Sequence, residues 1–267
     1  MLRHPAVAGQ FYPENAQSLR RLIQEYCPPA DEKTAALGVM VPHAGYVYSG
    51  AIAGAVFSRV RIPSRVLLLG PNHHGLGRRA ALFPSGSWLT PLGEAVIDEE
   101  LGAELMTACP LLEADARAHL AEHSLEVQLP FLQVLAPDCH IVPLCLGHLP
   151  LAELLELGAG LAQVLSRHSG EVLMVVSSDM THYEAGSVAR EKDRHALQQI
   201  AALDPEGLYR TVRSENISMC GVLPMVTMLA AARLLGAREA TLIRYGNSGD
   251  ITGDQSSVVG YAGVVIT

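Results

Sequence analysis

The sequence predicts an α/β fold of three layers, a mostly buried mixed or parallel central sheet with helices on both faces. Three observations predict it. Apolar runs at 37–41, 65–69, 140–146, 171–176, 240–245 and 258–266 are short, bounded by turn residues and continuous rather than alternating, as strands covered on both sides read. Helical segments fall between many of them. The chain has 267 residues, 49% hydrophobic and 17% charged, enough apolar material for a core on each side of such a sheet. No repeat, low-complexity tract or linker interrupts it, so the expectation is one domain over 1–267.

In chain order, Leu19, Leu22, Ile23 and Tyr26 form one stripe of a helix, stopped by Cys27-Pro28-Pro29-Ala30-Asp31. The strands at 37–41 and 65–69 follow. Asp98 reads as the N-cap of a helix over 99–107. The segment 121–130 reads as helical, which puts Glu122 and Glu126 on one face and His123 beside Glu126. Such a face is either solvated or a proton-transfer pair at the rim of a site. Leu151, Leu154, Leu155, Leu161, Ala162 and Leu165 make another helical stripe, and Asp204-Pro205 caps and opens a helix over 206–212. The apolar run 222–235 reads as a helix with Cys220 at its N-terminus, where backbone N–H groups favour a thiolate.

Charge narrows the function. Acids outnumber bases 27 to 19, for a net charge of −8, and no block of Lys or Arg offers a footprint for nucleic acid or anionic lipid. Every apolar stretch breaks well short of a bilayer span, and the first residues lack an apolar h-region, so export is not expected. Five cysteines without a CxxC pair point to reduced thiols, and the expected location is the cytoplasm. Neither phosphate-loop fingerprint nor a GxSxG elbow occurs.

The polar residues collect where strands end. The first strand runs into Pro42-His43-Ala44-Gly45, the second into Gly70-Pro71-Asn72-His73-His74, and the fourth into Ser177-Ser178-Asp179-Met180-Thr181-His182. If these strands are parallel neighbours, the side chains meet in the crevice beyond their carboxyl ends, where open α/β sheets bind ligands. Asn247 and Asp250, after the strand at 240–245, would join them if that strand runs the same way. Neutral imidazoles are common ligands of transition metals, and an anionic ligand often completes the set. Asp179, Glu126 and Cys220 are the candidates for it. His4, His119, His140, His148, His168 and His195 fit no constellation.

Several motifs also carry a family resemblance: Ala8-Gly-Gln-Phe-Tyr-Pro13, Pro42-His-Ala-Gly-Tyr46 with Ser49-Gly50, Gly70-Pro-Asn-His-His74, Glu122-His-Ser-Leu-Glu126, Ser177-Ser-Asp179 with His182, and Met219-Cys-Gly221. Taken in order along essentially the whole chain, they resemble the Memo family, whose prokaryotic members are called AmmeMemoRadiSam system protein B. The resemblance implies a fold like that of the class III (LigB-type) extradiol dioxygenases, with iron or copper bound by His43, His73 and Cys220. Asp179, His182 and His123 would then be catalytic or orienting groups in the pocket. The activity implied is metal-dependent redox chemistry on a small phenolic molecule or a peptide, with radical-SAM and AMMECR-type proteins as partners. A binding or signalling protein without turnover is the alternative. A zinc hydrolase, with Asp179 or Glu126 as base or with Cys220 and His182 as a thiol pair, is weaker, and Zn(II) is the weaker metal.

Overall fold

In the computed structural model, residues 1–30 and 32–267 are described, and Asp31 of the proline-rich stop lies outside them. The strands are β1 (Leu2–Arg3), β2 (Gly38–Val41), β3 (Arg65–Pro71), β4 (Ala80–Leu82), β5 (Ser87–Thr90), β6 (Gly93–Val96), β7 (Glu113–Ala114), β8 (His140–Leu146), β9 (Val172–Ser177), β10 (His182–Glu184), β11 (Ala240–Asn247) and β12 (Val258–Ile266). The helices are α1 (Ala16–Tyr26), α2 (Tyr46–Phe57), α3 (Glu99–Ala108), α4 (Leu129–Leu135), α5 (Leu151–Leu165), α6 (Gly186–Ala201), α7 (Pro205–Ser214), α8 (Val222–Leu234) and α9 (Gly249–Thr252).

All six apolar runs are strands, and they form one large mixed sheet. Its middle, in the order β2-β9-β3-β8, is parallel throughout. β12 lies antiparallel to β2, and β11 lies antiparallel to β12, so β11 again points the way β2 does. On the other side β4 runs antiparallel to β8 and carries β7. Alternate residues of the central strands face opposite cores, which is why the runs are apolar without a period. Met40, Leu67, Leu69, Val142 and Met174 pack with α3, α5 and α8. Val39, Val41, Val66, Leu68 and Val175 pack with α1, α2 and α4. The layers are those expected from the sequence.

Local signals fix the helix ends. Asp98 accepts from the Leu101 N–H at 2.9 Å, and Asp204 accepts from Gly207 at 2.9 Å with Pro205 just inside the helix. A second sheet, β1-β5-β6, has strands of two to four residues, too short to show a period in the sequence. Among the described residues no helix is long and apolar enough to cross a membrane.

The segment 121–130 departs from expectation. Only Glu126–Gln128 turns as a 3-10 helix before α4, and Glu122 and Glu126 part company instead of sharing a solvated face. Both are buried. Glu126 pairs with the buried Arg3 guanidinium at 2.7 Å and accepts from Tyr12 Oη at 2.6 Å and the Ala6 N–H at 2.7 Å. Glu122 turns instead toward the ends of the sheet strands. A buried charge needs a partner, and the two partners lie in different directions.

Candidate metal centre

The strand order brings the predicted residues together. β9 lies between β2 and β3, so the loops bearing His43, Asp179 and His73 leave three adjacent parallel strands at the same edge. The ladder is extended by the Ser178 N–H donating to Val41 O at 2.9 Å, and the His43 N–H donates to Asp179 Oδ1 at 2.8 Å. A fourth loop closes over them. The 122–126 segment lies across the end of β3, where a Cβ on Gly70 would meet Leu125 Cδ2 at 2.6 Å and Ser124 Oγ at 2.8 Å. Glycine at position 70 permits that approach, and the approach delivers His123.

His43, His73 and His123 each offer one nitrogen, and these three atoms all lie within 4.8 Å of one another. His43 is buried and the other two are partly exposed. The rings of His73 and His123 stack at 4.9 Å, and His43 meets both edge-on, at 5.1 and 5.5 Å.

Hydrogen bonds decide which nitrogens are free. Ser177 Oγ donates its one proton to Ser124 O at 2.6 Å and accepts from Gln128 Nε2 at 2.9 Å. Its contact with His43 Nδ1 at 2.9 Å therefore has the ring donating, which leaves the lone pair on Nε2. His73 Nδ1 donates to Glu122 Oε1 at 2.9 Å, so its Nε2 is likewise free. Glu122 also accepts the backbone N–H of His73 at 2.7 Å and of Ser124 at 2.9 Å. A carboxylate that orients a histidine in this way is a common support for a metal ligand.

The electrostatics favour the neutral forms of His43 and His123 and work the other way at His73. Burial, reinforced by His73, lowers His43 to about 3, and burial together with His43 lowers His123 to about 4. Burial also works against charge on His73, but the hydrogen bond and charge of Glu122 outweigh it and raise that pKa. Glu122 in turn is held well below the usual carboxylate range: burial opposes its charge, and the side-chain bond and charge of His73 together with the N–H bonds from Ser124 and His73 more than offset that.

The other predicted residues are close by, in differing roles. Cys220, in the turn before α8, has Sγ 3.2 Å from His43 Nε2 and accepts the Asp179 N–H at 3.2 Å. Burial and the Asp179 carboxylate push its thiol up. It is outside the close set of three donors. Asp179 is buried, and burial raises it against the N–H bonds it accepts. His182 Nδ1 donates to Ser218 O at 2.9 Å, which leaves Nε2 as an acceptor. His74 turns out to Ala121 O at 2.9 Å, so of the pair it is His73 that faces the centre. Glu126, tied to Arg3, is neither a third ligand nor a base here. The sequence does not show Ser177, Gln128 and the carboxylate of Glu122 as supports of the ligand rings. Only the strand-end position of Ser177 could have signalled any of them.

The three imidazoles, Asp179 and His182 line a cleft of about 690 Å³. Its remaining wall includes Phe11 and Tyr48, with Ser248, Thr252 and Asp254 from the β11–β12 connection. Asn247 and Asp250 are held back from it in a turn: the Asn247 N–H donates to Asp250 Oδ2 at 2.9 Å.

Comparison with known proteins identifies the family. A MEMO1 family protein of Methanopyrus kandleri is 41% identical over 280 residues, covering 99% of each chain. One of Aquifex aeolicus is 42% identical over 266 residues, covering 99% of this chain and 98% of its own. The crystal structure of an uncharacterized protein of Escherichia coli K12 shares the fold at 16% identity, with a TM-score of 0.54 over 84% of this chain and 98% of that one. The model of the Memo-like protein family matches residues 3–265, and the chain belongs to that family.

Proposed function

We propose that the protein is a metal-dependent redox enzyme whose centre is held by His43, His73 and His123. One observation carries this reading: three imidazole nitrogens from separate loops lie within 4.8 Å of one another, two of them with their Nδ1 atoms anchored. The donor set fits. Neutral imidazole suits iron, copper and zinc alike, and a soft thiolate from Cys220 would suit Cu(I) or Zn(II) at least as well as Fe(II) and would alter the potential of iron. His43 and His73 are ligands in every version of the site. His123 takes the third place by proximity, and Cys220, the third ligand implied by the family resemblance, is assigned as an additional donor beside His43.

His43, His73 and His123 would hold a ferrous or cuprous ion, which when bound would supply one-electron redox chemistry. The chain's own groups do the rest. Glu122 and Ser177 fix the ligand rings, so that no reorganisation is needed on binding. His182 Nε2 accepts a proton from a substrate hydroxyl, and the buried Asp179 carboxylate offsets the positive charge that follows. Phe11, whose ring lies 4.8 Å from that of His123, gives an aromatic substrate a face to pack on. The kinship to LigB-type extradiol dioxygenases that the family resemblance implies supports a phenolic substrate. The family's prokaryotic name supports a place beside radical-SAM and AMMECR-type proteins in a modification system.

The test is anaerobic loading with Fe(II) or Cu(I), followed by oxygen-uptake measurements on a panel of phenols. Uptake that needs the metal and disappears in His43→Ala is expected. Protein that holds the metal tightly yet turns over none of the panel would overturn the redox reading in favour of metal binding without catalysis.

A further inference from the structure

The cleft has a second character that the metal centre does not explain. It runs along the sheet edge from the end of β3, past β9 and β2, to the connection between β11 and β12. That connection reaches the same edge because β12 runs antiparallel to β2. Among the described residues, no lysine or arginine lines it, although the chain has 19. Its charged side chains away from the histidines are the carboxylates of Asp179 and Asp254.

Asp254 is the accessible one. It is exposed, and its carboxylate accepts from Ser256, through the backbone N–H to Oδ1 at 2.8 Å and through the side chain, which leaves it open to solvent on the cleft side. The aromatic rings nearby are also open to a ligand. Tyr183 is 79% exposed and Tyr48 40% exposed, and both border the cleft. Tyr183 is held at φ 59°, in the left-handed region that a bulky side chain rarely adopts. That conformation sits at a register break in the pairing of β10 with β12.

We infer that the cleft selects an organic cation: a substrate whose oxygen-bearing aromatic head meets the metal centre and whose ammonium tail is held by Asp254 and the faces of Tyr48 and Tyr183. The inference rests on the metal-centre reading for the head, while the tail site stands on its own residues. A carboxylate and tyrosine faces without a competing base attract an ammonium by charge and by the ring quadrupole. They repel a carboxylate or phosphate tail by the same terms, so the selectivity has both an attractive and a repulsive part.

Three probes share a phenol head and differ in tail charge: tyramine, 4-ethylphenol and 3-(4-hydroxyphenyl)propanoate. Their dissociation constants would be measured by calorimetry on metal-loaded and metal-free protein, without oxygen. Tyramine is expected to bind about tenfold more tightly than 4-ethylphenol, and the propanoate more weakly than either. Asp254→Asn, which still accepts the Ser256 N–H, should bring tyramine to the level of 4-ethylphenol, and Asp254→Lys should reverse the order. Equal binding of all three, no binding of any, or a ranking unmoved by Asp254→Asn would overturn the inference. Failure of the metal reading looks different: the ranking persists while metal adds nothing to the affinity of any probe.

Discussion

Glu122 shows how much of the site depends on a residue that binds no substrate. Its carboxylate accepts the backbone N–H and Nδ1–H of His73 and the N–H of Ser124, and so ties the β3 loop to the segment that carries His123. Glu122→Gln keeps the shape and loses the charge. Its affinity for Fe(II) or Zn(II) should fall about 10–100-fold, as measured by competition with a chromophoric chelator. Unchanged affinity would mean that His73 needs no orienting group. At this scale the sequence was informative where chemistry coincided with a strand end, as at His43, His73 and Asp179. Glu122 and Ser177 were opaque because their meaning lies in partners 49 and 134 residues away.

Among the elements, the helix ends were the most legible part, because a cap is decided within four residues. Asp204→Ala removes the acceptor for the Gly207 N–H and should cost about 1 kcal/mol in urea unfolding. Close helix contacts are less visible in the sequence. A Cβ on Gly54 would lie 2.2 Å from Tyr26 O, so α2 packs on the end of α1 backbone to backbone. Gly54→Ala should destabilise by about 1–3 kcal/mol, and a neutral result would contradict the tight α1–α2 contact. The helix expected over 121–130 failed for a reason outside the segment. Arg3, far away in sequence, claims Glu126 as its buried partner, and that pairing outweighs a local i, i+4 preference worth a few tenths of a kcal/mol.

Over the whole molecule, the layers were legible from composition and continuous apolar runs, while the strand order was not. Placing β9 between β2 and β3 depends on pairings between residues more than 100 apart, and no local pattern encodes them. The same long-range assembly makes stability depend on pH. His43, His119 and His123 are lowered to about 3, 4 and 4, in each case chiefly by burial, so the fold favours their neutral forms. Their contribution is complete above the unfolded value near 6.5 and is lost as pH falls toward the folded values. For His119 this is on the order of 3 kcal/mol at most. His73, raised by Glu122, works in the opposite sense, and the three lowered histidines outweigh it. Metal-free protein should therefore show a lower urea midpoint at pH 4.5 than at pH 7, with part of the slope removed in His119→Gln. A flat profile would contradict the buried neutral state.

Anomalous diffraction from crystals loaded anaerobically with Fe(II) tests the gathering of three imidazoles most directly. The result expected is one peak per chain, about 2.0–2.2 Å from His43 Nε2, His73 Nε2 and a ring nitrogen of His123. A peak bound elsewhere, or one touching at most one of these rings, would contradict it.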